Sequence, residues 1–182
     1  KAIIIVVVAL GLIAAGLAVV WKRPLPQGGE SAAAPGRAAP DFALQDYHGN
    51  TITFAQFRGK PLVVNSWATW CPFCWRELLD FAQVREELGD RLAIVAINRA
   101  EPLAVAKQFS DQMGFTGRLI LLLDLKDSFY QAIGGFSMPE TIFVDADGRI
   151  VLHKRGPMDA REIRERVIRL LGEGDPSIPS VQ

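Results

Sequence analysis

Trp67-Ala68-Thr69-Trp70-Cys71-Pro72-Phe73-Cys74 contains both cysteines of this 182-residue chain. The apolar, β-branched run before it, residues 61–66, predicts a buried strand. From Trp75 onward, apolar residues recur with helical spacing, which predicts a long helix ending near Gly89. The two cysteines therefore lie where a strand passes into a helix.

Cys71 is predicted to stand at the N-terminal end of that helix, because Pro72 suits the first helical position. The unpaired N–H groups and the dipole at a helix N-terminus stabilise an anion, which lowers the pKa of a thiol there. Cys71 is therefore the candidate nucleophile. Cys74 follows one turn later and can attack a mixed disulfide formed at Cys71, which closes a Cys71–Cys74 disulfide and releases the partner as a thiol.

The cysteine pair has a second interpretation, as a clip for a metal ion. Two cysteines cannot form a framework of structural disulfides, so the pair is either catalytic or metal-binding. A structural zinc site needs four ligands, and the chain adds only two widely separated histidines, His48 and His153. The sequence therefore favours redox chemistry and predicts no metal site.

The motif resembles the thioredoxin superfamily, and more closely its membrane-anchored branch of TlpA-, ResA- and DsbE (CcmG)-type thiol-disulfide oxidoreductases. The resemblance rests on residues 64–74, on Glu77, and on Met-Pro-Glu-Thr-Ile-Phe-Val-Asp at residues 138–145. It covers roughly residues 39–171. Members vary at the two positions between the cysteines, and the Pro72-Phe73 pair does not assign the chain to one subgroup.

The resemblance implies roles for residues outside the cysteine pair. Pro139 matches the family's cis-proline, which lies beside the cysteines and turns the Met138 backbone towards an extended substrate segment. Glu77 matches an acidic residue of the active-site cavity, although helical spacing alone would make it an ordinary solvated glutamate. Partial burial would raise its pKa and let it accept the proton of Cys74. Thioredoxin proper has a buried aspartate at the position of Asn65, which leaves Glu77 as the candidate replacement.

Four further side chains near these motifs carry weaker expectations. Trp67 is expected to pack at the end of the strand, whereas Trp70 is a candidate for exposed contact with a partner. Glu140 either biases partner choice by its charge or is an ordinary solvated residue at a strand edge. His153 lies within a strand pattern and is expected to be structural rather than a ligand.

The N-terminal segment predicts a membrane anchor. Residues 2–21 form an uncharged apolar run, long enough for a helix to cross a hydrocarbon core of about 30 Å. A cleaved signal peptide is the alternative, but its apolar core is shorter, about 7–15 residues, and ends at a small-x-small site. Lys22 and Arg23 follow the run, a bias that by itself would keep the next domain in the cytoplasm. The family resemblance implies the opposite, an extracytoplasmic catalytic domain, periplasmic or on the outer face of the cell membrane.

The chain is thus predicted to have four segments: a transmembrane anchor (residues 1–22), a flexible Pro-, Gly- and Ala-rich linker (23–40), a thioredoxin-like domain (41–172) and a tail (173–182). Within the domain, alternating strand and helix patterns predict an α/β fold whose central mixed β-sheet has helices on both faces. Short strand patterns on either side of residues 48–50 predict an N-terminal β-hairpin.

Two helix patterns and one turn complete the predicted domain. Residues 102–113 predict a helix with Val105, Phe109 and Met113 at four-residue intervals. Asp147-Gly148 predicts a tight antiparallel turn between two strands. Residues 159–171 predict a final helix with one apolar face, formed by Ile163, Val167, Leu170 and Leu171.

Composition excludes one class of function. Basic and acidic residues are equal in number, 20 of each, so no basic excess favours nucleic acid as a partner. We expect an enzyme that exchanges electrons with protein cysteines and needs no cofactor, because the two sulfurs carry the electrons. The resemblance implies a reductase, with apocytochrome c as an implied substrate and a membrane-embedded thiol relay as electron donor. The alternative is a copper-delivering assembly factor on the same fold, although such proteins typically place three residues between the cysteines and add a suitably located histidine.

Overall fold

The computed structural model describes residues 36–172. Two short 3-10 helices, at Phe54–Phe57 and Gly89–Arg91, accompany the regular elements. In chain order the strands and α-helices are β1 (Ala43–Asp46), β2 (Thr51–Thr53), β3 (Leu62–Trp67), α1 (Cys74–Leu88), β4 (Ala93–Arg99), α2 (Leu103–Met113), β5 (Ile120–Asp124), α3 (Ser128–Ala132), β6 (Glu140–Val144), β7 (Ile150–Arg155) and α4 (Ala160–Gly172).

The strands form a mixed sheet in the order β2-β1-β5-β4-β3-β6-β7. Strands β3, β4 and β5 run parallel, and the remaining pairs are antiparallel. The predicted central mixed sheet is therefore confirmed. Strand β3 lies between β4 and β6 and all six of its residues are buried, because both of its edges and both of its faces are covered.

Helices cover both faces of the sheet, as predicted. Val63 and Trp67 of β3 point to one face, where they pack in a cluster with apolar residues of α1, α2 and α4. Leu62 and Val64 point to the other, where they pack with α3 and with Phe54 of the first 3-10 helix. This alternation follows from the two-residue period of a strand, which sends neighbouring side chains to opposite faces.

The predicted N-terminal hairpin is confirmed, because β1 and β2 pair antiparallel, with Ala43 opposite Thr53. The Asp46 carboxylate closes the turn by accepting hydrogen bonds of 2.8 Å from the N–H groups of His48 and Asn50. Gly49 has a φ of 83°, a left-handed conformation that glycine adopts without steric cost. The hairpin joins the sheet through antiparallel pairing of β1 with β5.

The predicted packing face of α2 is wrong in one position. Val105 is exposed, and the residues that face the sheet are the small Ala106 and Ser110, with Phe109 and Met113 partly buried beside them. Small residues let the helix approach Trp67, whose ring stacks on that of Phe109 at 6.2 Å between centroids. The spacing of large apolar residues alone hides this, because it ignores the small ones.

Two other expectations about the second half of the domain are confirmed. Strands β6 and β7 pair antiparallel, and the Asp145 carboxylate accepts hydrogen bonds from the N–H groups of Asp147 and Arg149 in the turn between them. The final helix buries the predicted apolar face, which consists of Ile163, Val167, Leu170 and Leu171.

The chain begins to pair before the predicted start of the domain. Residues 36–39, which the sequence analysis assigns to the linker, form hydrogen bonds with the backbone at residues 148–150, at the start of β7. The predicted anchor, most of the linker and the tail lie outside the described residues. Within the described part of the chain, no helix combines the length and the apolar character needed to cross a membrane.

Candidate active site

A disulfide joins Cys71 and Cys74 at the end of β3 and the beginning of α1. The two sulfurs are 2.09 Å apart and the two Cα atoms 5.5 Å apart. The carbonyl of Cys71 accepts a hydrogen bond of 3.3 Å from the N–H of Cys74, which bends the chain into a tight turn between the two residues. The structure is therefore that of the oxidised form, with the predicted pair closed.

Helix α1 starts later than the sequence predicts. Pro72 and Phe73 form a turn, and Cys74 rather than Pro72 is the first helical residue. The reason is the backbone hydrogen bond from the Cys74 N–H to the Cys71 carbonyl, which spans three residues, whereas α-helical hydrogen bonds span four. Cys71 still lies just before the N-terminal end of α1, where the helix dipole favours a thiolate once the disulfide opens.

The cysteines are covered, whereas the side chains next to them are exposed. Cys71 has only 1% of its surface accessible, and Cys74 is fully buried. Trp70 is 63% exposed, as the sequence analysis expected of a partner contact, and Phe73 is exposed as well. Trp67 is fully buried and packs edge-on against Phe115, which confirms that it is part of the core.

Glu77 lies one helical turn after Cys74 and is almost completely buried. Its carboxylate accepts hydrogen bonds of 2.8 Å from the Asn65 side-chain amide and of 2.9 Å from the Met158 N–H. Burial raises the pKa of Glu77 to about 8, because the loss of water outweighs the two hydrogen bonds that favour its charged form. This direction agrees with the raised pKa expected from partial burial, and the burial itself is greater than expected.

Asn65 connects Glu77 to the strand next to β3. Its amide nitrogen donates to Glu77 and also to the Thr141 hydroxyl, 2.9 Å away. Its carbonyl oxygen is buried and has no hydrogen-bond partner. A protonated Glu77 has a hydroxyl that could donate to this oxygen if the amide turned over, so Asn65 can serve both protonation states of Glu77.

The segment before β6 brings the predicted proline to the cysteines. The peptide bond between Met138 and Pro139 is cis, as the resemblance implied. Glu140 pairs with Ser66 near the end of β3, so Met138 and Pro139 lie at the edge of the sheet that carries the cysteine pair. Pro139 accepts a hydrogen bond from the Gly156 N–H. The backbone N–H and C=O of Met138 make no backbone hydrogen bond within residues 36–172, which leaves them free for another chain.

Glu140 is not a surface charge, and both expectations for it are wrong. Its side chain is fully buried, and its carboxylate accepts hydrogen bonds from the N–H groups of Phe136 and Ser137 and from the Arg155 guanidinium. Nε2 of His153 lies 2.7 Å from the same carboxylate, which confirms a structural position for this histidine. Burial alone would raise the pKa of Glu140, but the hydrogen bonds from His153 and the other donors outweigh it and lower the pKa to about 2.

A second acidic residue near the site escaped the sequence analysis. Glu101 accepts hydrogen bonds from the Thr69 N–H and hydroxyl and from the Asn98 amide, so it holds the loop that leads to Cys71. The sequence could have indicated this residue, because Glu101 comes just after β4 and the ends of neighbouring parallel strands meet at one edge of a sheet, where Cys71 also lies. For Glu140 the sequence gives no such signal, because a β-bulge between Phe143 and Val144 shifts the register and places Arg155, rather than Lys154, opposite Glu140.

No metal centre is evident in the part of the chain described here. Among those residues, no three His, Cys, Asp or Glu side chains come together as ligands would. The Cys71 and Cys74 sulfurs are bonded to each other, and His153 lies against Glu140.

Most of the chain matches a known protein family. The sequence profile of the family described as Redoxin matches residues 34–168. The chain belongs to the Redoxin family. This redoxin is 31% identical over 138 residues to the thiol:disulfide interchange protein DsbE of Vibrio cholerae, covering 74% of this chain and 72% of that protein. It is 29% identical over 141 residues to the thiol-disulfide oxidoreductase ResA of Geobacillus thermodenitrificans, covering 76% of this chain and 79% of that protein.

Solved structures show the same relationship. The redoxin superposes on a thiol:disulfide interchange protein of the thioredoxin family from Chlorobium tepidum with a TM-score of 0.67 and 26% identity, over 78% of this chain and all of that one. A putative DsbE from the same organism, 23% identical, shares the fold with a TM-score of 0.70, over 76% of this chain and 98% of that one. This redoxin is a thiol-disulfide oxidoreductase of the ResA and DsbE type with a thioredoxin-like fold.

Proposed function

We propose that this redoxin reduces disulfides in other proteins through Cys71 and Cys74. The observation that carries the proposal is the Cys71–Cys74 disulfide, placed just before α1 and beside a cis-proline. The relatives named for thiol-disulfide exchange support the class of reaction. The order in which the two sulfurs act follows from their positions relative to α1.

In the first step the Cys71 thiolate attacks one sulfur of the partner's disulfide. The partner's S–S bond breaks, a Cys71–partner disulfide forms, and the partner's second sulfur leaves as a thiolate that takes up a proton. The helix dipole of α1 lowers the cost of holding Cys71 as a thiolate beforehand. The unpaired N–H and C=O of Met138 bind the partner's backbone as an added strand, which holds the attacked sulfur beside Cys71.

In the second step Cys74 attacks Cys71. The Cys74 thiol first loses its proton, and Glu77, one turn further along α1, accepts it. As the new Cys71–Cys74 bond forms, the bond between Cys71 and the partner breaks and the partner's remaining sulfur leaves as a thiolate that takes up a proton from solvent, so two electrons have passed to the partner. The raised pKa of Glu77 agrees with this role, because with a pKa of about 8 the carboxyl is largely protonated at neutral pH once the disulfide has formed.

The cellular setting is proposed from the sequence. The apolar run at residues 2–21 would anchor the redoxin in a membrane with its catalytic domain outside the cytoplasm. The cysteine pair must then be reduced again, and the resemblance to ResA- and DsbE-type proteins favours a membrane-embedded thiol relay as the donor. The same resemblance favours apocytochrome c as a protein substrate, reduced before haem attachment.

Single cysteine variants test the assigned order. We expect Cys71→Ser to abolish reduction of a protein disulfide, and Cys74→Ser to accumulate a mixed disulfide with the partner, because nothing then resolves it. Non-reducing mass spectrometry of each variant, incubated with a disulfide-bonded protein, measures the trapped species. Equal trapping by both variants would contradict the roles. The reduction potential of the Cys71–Cys74 pair tests the direction of electron flow. A value well above that of glutathione would contradict a reductase, since each 30 mV or so changes the free energy of electron transfer by about 1.4 kcal/mol.

A further inference from the structure

The loop before Met138 passes close to the ring of Tyr130. A Cβ atom added to Gly135 would lie 2.4 Å from two carbon atoms of that ring, a distance at which the atoms overlap. The Gly135 N–H also donates a hydrogen bond of 2.9 Å to the Tyr130 carbonyl. The φ angle of Gly135 lies outside the left-handed region, so its backbone conformation does not by itself require glycine. The close approach to the Tyr130 ring does.

Arg99, at the end of β4, holds the same ring. The Arg99 guanidinium lies over the ring of Tyr130, with Cζ 3.4 Å from the ring centroid, which is a cation–π contact. Asp127 fixes the guanidinium through both carboxylate oxygens, with Nε 2.7 Å from Oδ1 and Nη2 2.5 Å from Oδ2. Tyr130 itself is only 7% exposed. Its ring therefore has little freedom to move.

The Tyr130 hydroxyl fixes the residue before Met138. It donates a hydrogen bond of 2.7 Å to the Ser137 carbonyl. Burial, helped by the nearby negative charge of Glu140, raises the pKa of Tyr130 to about 12, so the hydroxyl keeps its proton and stays a donor at neutral pH. The Ser137 N–H donates to Glu140 at 3.1 Å. Both backbone polar groups of Ser137 are thus held.

The hydrogen bond from Tyr130 also orients the N–H of Met138. The Ser137 carbonyl and the Met138 N–H belong to one planar peptide unit. Among residues 36–172, the only cis peptide bond joins Met138 to Pro139, so the bond between Ser137 and Met138 is trans, and its C=O and N–H point in opposite directions. Fixing the carbonyl therefore fixes the direction of the N–H, which makes no backbone hydrogen bond within that range.

We propose that Tyr130 is a positioning residue, whose hydroxyl aims the Met138 N–H at the backbone of the protein whose disulfide is reduced, while Arg99 and Gly135 hold the ring in place. This rests on the proposed function and adds to it a buried residue that acts through the loop. A donor that is already oriented loses less conformational freedom when the partner binds, which strengthens binding.

Two disulfides of different size test this proposal with the reduced, full-length protein. The first is a peptide with one intramolecular disulfide, and the second is 2-hydroxyethyl disulfide. The latter has no peptide backbone and cannot use the Met138 N–H, so its rate reports the intrinsic reactivity of the cysteine pair. Single-turnover rates over a range of peptide concentrations give a limiting rate and a half-saturating concentration.

Tyr130→Phe keeps the ring and removes the hydroxyl. We expect the half-saturating concentration of the peptide to rise about fivefold, as for one weakened hydrogen bond. The limiting rate and the rate with 2-hydroxyethyl disulfide should stay unchanged, because this bond is made equally in the bound state and the transition state.

Tyr47→Phe is the matched control, because Tyr47 is the chain's other tyrosine. Its hydroxyl accepts a hydrogen bond of 3.5 Å from Ser110, and burial raises its pKa to about 12 as well. It follows β1 and lies towards the edge of the sheet opposite the cysteines. The control should change neither the peptide kinetics nor the rate with 2-hydroxyethyl disulfide.

Two further measurements test the geometry directly. Gly135→Ala adds a methyl group against the Tyr130 ring and should raise the half-saturating concentration of the peptide about tenfold, whereas Gly172→Ala, where a Cβ meets no atom within 4 Å, should not. The order parameter of the Met138 N–H, from ¹⁵N relaxation, reports how firmly that group is oriented. We expect about 0.85 in wild type, as in rigid backbone, and a lower value in Tyr130→Phe.

The outcomes separate this proposal from the proposed function. If wild type reduces neither disulfide, the proposed function fails. If it reduces both, the positioning role is overturned by an unchanged half-saturating concentration or an unchanged order parameter in Tyr130→Phe. Equal slowing of both disulfides by Tyr130→Phe, or the same effect from Tyr47→Phe, would overturn it as well, since either would show a general loss of stability. Peptide kinetics unaffected by Gly135→Ala would show that the ring and the loop are independent, with the same consequence.

Discussion

At the scale of single residues, Glu77 and Glu140 show how burial alone does not determine a carboxyl's charge. Both are buried, yet burial raises the pKa of Glu77 to about 8, and hydrogen bonds lower that of Glu140 to about 2. The difference lies in their partners. Glu77 accepts hydrogen bonds from one neutral amide side chain and one N–H, whereas Glu140 accepts them from His153, from two backbone N–H groups and from the Arg155 guanidinium. Glu77 can therefore exchange a proton near neutral pH, and Glu140 is a permanent anion that fixes a loop.

The raised pKa of Glu77 predicts a pH dependence of stability. A carboxyl whose pKa is higher in the folded protein than its ordinary value of 4.5 contributes stability that is complete below pH 4.5 and is lost as the pH rises through about 8. We expect Glu77→Gln to remove this loss, so that the free energy of unfolding of wild type falls relative to the variant between pH 5 and 8.5. Each pKa unit corresponds to about 1.4 kcal/mol. Urea unfolding of the oxidised protein across this range measures the effect.

Glu165→Gln is the matched control, because Glu165 is an exposed glutamate on α4. It should run parallel to wild type. Parallel curves for Glu77→Gln and wild type would instead mean that Glu77 ionises normally, and its proposed part in accepting the Cys74 proton would lose its physical basis.

At the scale of elements, the loop before β6 depends on Glu140. The Glu140 carboxylate accepts hydrogen bonds from two N–H groups of the loop, those of Phe136 and Ser137. The hydroxyl of Tyr130, a residue of α3, donates to the Ser137 carbonyl. The loop presents the unpaired Met138 backbone to a substrate. The sequence could not show this network, because it joins α3, β6 and β7, and only the strand register brings Arg155 to Glu140.

We expect Glu140→Gln to loosen this loop. Removing the Glu140 charge leaves the Arg155 guanidinium, which is 29% exposed, without its anion and costs less than the roughly 3–5 kcal/mol of a fully buried ion pair. Hydrogen exchange at the Phe136 and Ser137 amides should accelerate, and kcat/KM for a peptide disulfide should fall more than that for 2-hydroxyethyl disulfide. The lowered pKa of Glu140 also predicts a pH dependence. The stability that its charged form contributes to the fold is present above pH 4.5 and is lost as the pH falls towards about 2, so the free energies of unfolding of wild type and variant should converge in acid. Unchanged amide exchange would contradict a positioning role.

The elements also show which local features the sequence predicts well. Strand β3 was predicted from a continuous apolar, β-branched run, and helix α4 from one apolar face with helical spacing. The start of α1 and the packing face of α2 were predicted wrongly. In the first case one backbone bond from Cys74 to Cys71 delays the helix, and in the second the small side chains of Ala106 and Ser110 decide the approach.

At the scale of the whole molecule, the order of elements was predictable and the completed site was only partly so. The cysteine pair was predictable from its position between a strand and a helix, and Pro139 from the resemblance of its segment to a known motif. The burial of Glu77 depends on Asn65 from β3 and on the Met158 N–H, which are 12 and 81 residues away in the chain. Such contacts arise only when the sheet and its helices assemble, so a sequence read locally cannot supply them.

The last prediction concerns the attachment of the catalytic domain. If residues 2–21 are an uncleaved anchor, the full chain should stay with membranes in alkaline carbonate, because a helix of about 20 apolar residues spans the hydrocarbon core. A chain lacking residues 1–22 should be released and keep its rate with 2-hydroxyethyl disulfide, since the Redoxin match begins at residue 34 and the elements of the sheet begin at Ala43. Membrane fractionation and N-terminal sequencing measure both outcomes. A mature N-terminus located after the apolar run would contradict the anchor, because it would identify that run as a cleaved signal peptide.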